Sequence, residues 1–225
     1  MYNKPPFCLL VLAGDAPSGL ARRKLLELMR EQPYVAAADG GARVLAELGL
    51  WPQLLIGDGD SLDAHTLEQC RAAGVDCRTL PREKDSTDGE AALVAALEAG
   101  YRDFAVFGAF GNMPDHQMGN LLLPLAYRDR WDTLTFYGRD CRAFYCFDAA
   151  RIHGAPGDTV SLLPLSATVR GIYLHGFRYP LAGADTALGD SLCLRNELSA
   201  DEGCIEFSHG IMLVIHYPNP EELRT

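Results

Sequence analysis

A chain of 225 residues, 48% hydrophobic and 22% charged, is long enough to bury the core of one or two globular domains. Its formal net charge of −10 and pI near 5.0 lack the basic footprint that a nucleic acid or an anionic membrane requires of its partner, so an anionic substrate must be met by local cations or a metal. Cys8, Cys70, Cys77, Cys141, Cys146, Cys193 and Cys204 are scattered and lack CxxC spacing, which offers no zinc or redox motif and points to reduced thiols.

The opening run MYNKPPFCLLVLAGD breaks at Asp15, too early for a signal peptide, and no stretch could span a bilayer; a cytoplasmic location is the default expectation. Phe7 to Ala13 reads as a buried parallel strand entering a loop at Gly14, Asp15 and Pro17. Ser18 is placed to cap a helix from about Gly19 to Gln32, with Leu25, Leu28 and Met29 on one face. Tyr34 to Ala38 is a second apolar run, closed by Asp39, Gly40 and Gly41, and a helix follows to Gly49. Leu54 to Ile56 supplies a third strand that ends in GDGDS, residues 57–61, before a helix over Ala64 to Ala73. Val75 to Leu80 is extended, the loop PREKDSTD follows, and a helix runs from about Thr87 to Gly100. Phe104 to Phe107 is the next strand, and its loop leads to a helix containing Asp115, His116 and Asn120.

Strands alternating with helices of this length predict a parallel sheet covered on both faces, with ligands at the carboxyl ends of its strands. Asp15, Asp39, Asp58, Asp60, Asp85, Asp88 and Asp115 all follow strand ends, so such a fold gathers them on one rim. After about Asp140 the pattern changes to short apolar runs at 143–147, 159–163, 172–174, 191–194, 204–207 and 211–216, the pattern of an all-β sandwich or barrel. Ser208, His209 and Gly210 read as a hairpin connection between the last two runs. The expected division is therefore an α/β domain over residues 1–140 and a β-sandwich over residues 141–225.

No GxxxxGK[ST] phosphate loop and no GxGxxG dinucleotide fingerprint occurs, so any nucleotide must be held differently. Asp58 and Asp60, one residue apart on a glycine-flanked turn, need a counter-charge, and Mg²⁺ is the natural one because it takes carboxylate and phosphate oxygens. Thr87 opens a helix whose dipole favours a phosphate oxygen, and Lys84 supplies a cation. His116 reads as a structural helix histidine, and the other histidines have no zinc-ligand spacing.

Taken in order, ADGG at residues 38–41, GDGDS at 57–61, KDSTD at 84–88 and DHQMGN at 115–120 resemble thiamine pyrophosphokinase, and GIYLHGFRYPL at 171–181 with SLCLRNEL at 191–198 extends the resemblance through the second half. The resemblance implies a Rossmann-like catalytic domain followed by a thiamine-binding β-sandwich, and transfer of pyrophosphate from ATP to thiamine to give thiamine diphosphate and AMP. It implies Mg²⁺ on Asp58, Asp60 and Asp88, with these and Asp115 as the catalytic set. Asp39, Gly40, Lys84, Asp85 and Thr87 would shape the nucleotide pocket, and Tyr179 and Asn196 the thiamine site of a homodimer whose sites lie between subunits. Three positions depart from the family pattern: Met113 where an arginine is usual, Gly59 where an aromatic is usual, and Arg195 where a serine precedes Asn196. These leave open a pyrophosphokinase of the same fold acting on another alcohol, or a non-catalytic nucleotide or thiamine sensor.

Overall fold

The computed structural model describes residues 7–58, 62–81, 85–111 and 113–219. The chain divides into two compact units, Met1–Arg139 and Asp140–Thr225.

In the first unit the strands are β1 (Phe7–Val11), β2 (Tyr34–Ala38), β3 (Leu54–Gly57), β4 (Asp76–Thr79), β5 (Asp103–Phe107) and β6 (Thr133–Tyr137). The helices are α1 (Gly19–Met29), α2 (Gly41–Glu47), α3 (Ala64–Ala72), α4 (Asp88–Glu98) and α5 (Pro114–Leu122), the last running into a 3-10 segment, Leu123–Arg130. The strands lie in the order β6-β5-β1-β2-β3-β4, every neighbouring pair parallel. FCLLV, YVAAA and DFAVF are buried along almost their whole length, because strands covered on both faces need apolar residues at every position. Leu9, Val11, Val35, Leu55 and Phe107 pack with Leu25 of α1 and Leu45 of α2 in one core. Leu93 and Ala96 of α4 are fully buried, and α4 lies against β1, β2 and β3. That packing returns the start of α4 to the neighbourhood of the β2 and β3 exits, although β4 comes between them in sequence.

The second unit contains β7 (Arg142–Cys146), β8 (Ala149–His153), β9 (Thr159–Pro164), β10 (Thr168–His175), β11 (Leu181–Ala187), β12 (Asn196–Glu197), β13 (Glu202–Glu206) and β14 (Met212–Tyr217). One antiparallel layer has the order β12-β9-β14-β7 and the other β11-β10-β13-β8. Their facing residues, among them Val160, Leu162, Met212 and Val214 on one side and Ile152, Ile172, Leu174 and Ile205 on the other, form a common core.

Several expectations are corrected. Ser18 occupies the position before α1, but its hydroxyl makes no cap bond. Residues 191–194 form a turn closed by the Leu194 amide donating to the Ser191 carbonyl, with Leu192 and Leu194 exposed; the strand comes later, at β12. Ser208 to Gly210 is not a hairpin: β13 pairs with β8 and β10, whereas β14 pairs with β7 and β9, so the link carries the chain from one layer to the other. Strands β8 and β11 gave no sequence signal because each is an edge strand burying a single side chain, Ile152 and Thr186.

Candidate functional site

The exits of β2 and β3 are adjacent because the strands are neighbours, paired from Ala36 opposite Leu54 to Ala38 opposite Ile56. Asp39 follows immediately. Its amide extends the ladder by donating to the Ile56 carbonyl at 2.8 Å, and its own carbonyl accepts from the Ala42 amide at 3.0 Å to begin α2. Making both bonds forces a sharp reversal, and Asp39 takes a left-handed backbone, φ 39°, that side chains other than glycine seldom adopt. The residue is 4% exposed. Gly57, at the end of β3, leaves the space for it: a Cβ there would stand 2.8 Å from Asp39 Cβ and 2.9 Å from Oδ1. Gly40, buried, caps α2.

Asp58 leaves β3 half-buried, and Asp88 is the first residue of α4. Thr87 is the cap of that helix, its hydroxyl accepting from the Glu90 amide at 3.1 Å. The Tyr127 hydroxyl donates to Glu90 Oε1 at 2.5 Å, so the first turn of α4 is also held from the 3-10 segment; that bond, to the carboxylate, raises the tyrosine pKa above its ordinary value.

Asp39, Asp58 and Asp88 thus converge, each offering a carboxylate oxygen, and these atoms all lie within 4.8 Å of one another. Three like charges at this spacing repel unless a cation joins them or a proton is taken up. Hard oxygen donors fit Mg²⁺: octahedral ligands at about 2.0–2.1 Å stand about 2.9 Å apart when adjacent and about 4.2 Å when opposite. The spacing is within a small side-chain adjustment of that geometry. Asp39, read from sequence as part of a nucleotide pocket, is a member of this group. Asp85 and Asp115 are exposed, in the loop before α4 and in the first turn of α5, and neither belongs to the group. Asp60 and Lys84, and the departure at Gly59, lie outside the described residues.

A second wall of the rim carried no strong sequence signal. Gly14 donates to the Gly108 carbonyl at 2.9 Å and Asp15 to the Phe110 carbonyl at 2.8 Å, zipping the loop after β1 to the loop after β5. Gly108 has φ +69° and sits where a Cβ would be 2.2 Å from the Leu12 carbonyl oxygen, so no other residue fits. From α5, Asn120 donates to the Ala109 carbonyl and Gln117 accepts from the Gly111 amide. The DHQMGN stretch therefore holds a loop through Gln117 and Asn120, while His116 and Met113 are exposed.

In the second unit Tyr179 is 58% exposed. Asn196 is buried, and its amide is committed to the backbone beside that ring: Oδ1 accepts from the Tyr179 amide at 3.1 Å and from the Glu197 amide at 2.9 Å, and Nδ2 donates to the Tyr179 carbonyl at 2.8 Å. Asn196 is therefore a clamp on Tyr179. Arg195, exposed, also has a left-handed backbone, φ 54°, and its amide donates to Ser161 Oγ at 3.0 Å.

One polar cluster was missed altogether. His216 and Asp158, 2% and 0% exposed, meet at 2.8 Å through Nε2 and Oδ2. Arg142 Nε donates to His216 Nδ1 at 3.2 Å, so the imidazole proton sits on Nε2 and is given to Asp158. Burial holds the histidine pKa below its ordinary 6.5, reinforced by Arg142 and opposed by Asp158. Asp158 also accepts from the Ala155 and Asn219 amides.

A parallel-sheet unit with a carboxylate cluster at its strand exits, followed by a β unit displaying a clamped aromatic, defines a two-part α/β protein with the donor set of a hard-cation site. The family model described as thiamin pyrophosphokinase, catalytic domain, matches residues 25–133, and that described as thiamin pyrophosphokinase, vitamin B1 binding domain, matches residues 149–212. The crystal structure of thiamin pyrophosphokinase from Geobacillus thermodenitrificans is similar with a TM-score of 0.79 at 30% identity, covering 95% of this chain and 98% of that one. The thiamine pyrophosphokinase of Bacillus subtilis (strain 168) is 29% identical over 181 residues, 79% of this chain and 84% of that protein. A crystal structure of the Bacillus subtilis thiamine pyrophosphokinase shares the fold with a TM-score of 0.83 at 24% identity, covering 95% and 99% of the two chains. The chain belongs to the thiamine pyrophosphokinase family. No helix among the described residues is long and apolar enough to cross a membrane.

Proposed function

We propose that Asp39, Asp58 and Asp88 form the centre at which this chain, a thiamine diphosphokinase, transfers the pyrophosphoryl group of ATP to the hydroxyl of thiamine, giving thiamine diphosphate and AMP. The convergence of the three carboxylate oxygens within 4.8 Å is the observation that carries the reading. Bound there with Asp60, Mg²⁺ would neutralise the triphosphate and orient it for in-line attack. The protein's own part is positional. Asp39 is fixed by its backbone bonds and by Gly57, and Asp88 by the capped first turn of α4. Asp85 and Thr87 directly precede α4 and are the nucleotide contacts of this reading, with Lys84 assigned to the same role by its place in the sequence; Gly40 sets the turn that carries Asp39. Asp115, in the first turn of α5, is the candidate to take the alcohol proton. Tyr179 offers a π face to the thiazolium cation, held in place by Asn196.

The acting species is a cytoplasmic homodimer with its sites between subunits. Within the second unit Leu188, Leu192 and Leu194 are exposed at 65%, 54% and 45%, and within the first Met118 and Leu122 on α5 at 62% and 42%; exposed apolar side chains of this size support burial against a second copy. Sedimentation of the purified chain should give twice the monomer mass.

Purified protein given ATP, Mg²⁺ and thiamine should produce AMP and thiamine diphosphate in equal amounts. Formation of ADP, or tight thiamine binding without turnover, overturns the reading. Turnover with a different primary alcohol and none with thiamine would leave the transfer chemistry and reassign the acceptor.

A further inference from the structure

Residues 177–179 lie beside residues 196–198 as a short antiparallel pair: Phe177 bridges Leu198, and the Arg178 amide donates to the Glu197 carbonyl at 2.8 Å. Their side chains form a second layer of contacts. Arg178 Nη1 donates to Glu197 Oε2 at 2.7 Å, and the Arg178 guanidinium carbon stands 5.6 Å from the centroid of the Tyr179 ring, over its face. The ring is thus held at its backbone by Asn196 and covered on one side by an arginine that a carboxylate already pairs.

That arrangement has a chemical consequence for a cationic ligand. An aromatic face attracts one cation, and a guanidinium over one side leaves only the other for a planar guest. A guest stacked there stands on the order of 10 Å from the guanidinium, about a Debye length at 0.1 M salt, so an unpaired arginine would repel it weakly and in a salt-dependent way. Glu197 removes that repulsion by pairing with Arg178.

We propose that the Arg178–Glu197 pair is a positioning and charge-balancing device for acceptor binding: Arg178 sets the plane of the Tyr179 ring and closes one face, and Glu197 keeps the site hospitable to a cation. The proposal rests on Tyr179 being the acceptor contact. Both side chains are exposed, so their replacement leaves the β core untouched.

Steady-state kinetics with thiamine, and with a neutral isostere whose thiazolium nitrogen is replaced by carbon, tests it. Glu197→Gln should raise KM for thiamine by up to about twofold at low salt, the scale of an exposed charge about 10 Å away, with kcat unchanged. The rise should shrink in high salt and be absent with the neutral acceptor. Arg178→Ala should raise KM for both acceptors, because the ring loses its backing. Tyr179→Ala serves as the reference. If it raises KM while the Arg178 and Glu197 variants leave both acceptors unchanged, the positioning proposal is wrong and the Tyr179 reading stands. If Tyr179→Ala itself leaves KM unchanged, the underlying reading of the thiamine contact falls. Equal effects of Glu197→Gln on charged and neutral acceptors would overturn the charge-balancing role.

Discussion

Gly57→Ala is the sharpest probe of the carboxylate centre, because it adds one methyl group and no charge. The new Cβ would meet Asp39 at 2.8 Å from Cβ and 2.9 Å from Oδ1, distances that real Cβ atoms scarcely show, and at a tight 3.1 Å from Cα. Relief by a side-chain rotation alone is blocked, since Asp39 Cβ and Cα are themselves among the close atoms. The Asp39 turn must move, although its amide and carbonyl are tied to Ile56 and Ala42. Inserting a methylene into a packed site costs about 1–3 kcal/mol. At about 2–4 °C per kcal/mol for a chain of this size, the midpoint of thermal unfolding should fall by about 2–12 °C. A shift of about 1 Å in a positioned group is enough to cost roughly 100-fold in rate, so AMP formation should drop by that order and require more Mg²⁺. The cause can be isolated in an Asp39→Gly background, where the obstructing Cβ and carboxylate are gone and the left-handed φ suits glycine. There, adding Gly57→Ala should cost no further stability. An equal fall in both backgrounds, or an unchanged Mg²⁺ dependence in the single variant, would refute the steric link between Gly57 and Asp39.

Asp88→Asn keeps the size of the side chain while removing a charged oxygen donor, so turnover should fall at least about 100-fold, equivalent to roughly 3 kcal/mol of lost charge stabilisation, with the circular dichroism spectrum preserved. Near-wild-type turnover would remove Asp88 from the centre. Asn196→Ala frees the Tyr179 amide and carbonyl, and should destabilise by about 1–3 kcal/mol and raise KM for thiamine more than it lowers kcat; urea titration and kinetics read the two effects separately. His216, neutral in the fold with its pKa below 6.5, takes up a proton more readily when unfolded. Its contribution to stability is therefore intact above about pH 6.5 and declines as pH falls from there to the folded pKa, at no more than about 1.4 kcal/mol per pH unit. His216→Gln should show a smaller loss in urea midpoint between pH 7.5 and 5.5 than the wild type. Equal losses would show that His216 is not the titrating group.

How far the sequence could be read follows from where each signal resides. The strands of the parallel sheet announced themselves because sheets covered on both faces demand unbroken apolar runs, as in FCLLV and DFAVF. Helix α4 was visible from Thr87 onward because its cap is local. Edge strands β8 and β11 were silent, each with a single buried side chain, and the turn at 191–194 imitated a strand because Leu192, Cys193 and Leu194 are apolar while only Cys193 is buried. The site showed the same divide. That aspartates gather at strand exits follows from alternating strands and helices. Which of them meet depends on strand order and on α4 crossing back over β2 and β3, and neither is written in local spacing. Asp158 and His216 are 58 residues apart and have no spacing to read.

The two candidate contact regions use different means of fixing a side chain, and under the proposed function the means match what each would hold. In the α/β unit each converging group is an aspartate set at an element boundary: Asp39 between β2 and α2, Asp58 at the end of β3, and Asp88 at the start of α4. A short side chain has few rotatable bonds, so backbone placement transfers directly to the carboxylate oxygens. Hard cations such as Mg²⁺ tolerate little deviation from octahedral geometry, and this favours aspartate over the longer glutamate at all three positions. In the β unit the group presented is an exposed ring, which a planar ligand meets over an area rather than at a point. There the backbone of Tyr179 is clamped by one buried amide, while the orientation of the ring is left to the exposed Arg178–Glu197 pair. Point-like geometry is built into the main chain of the first unit, and surface-like geometry is assembled from side chains in the second.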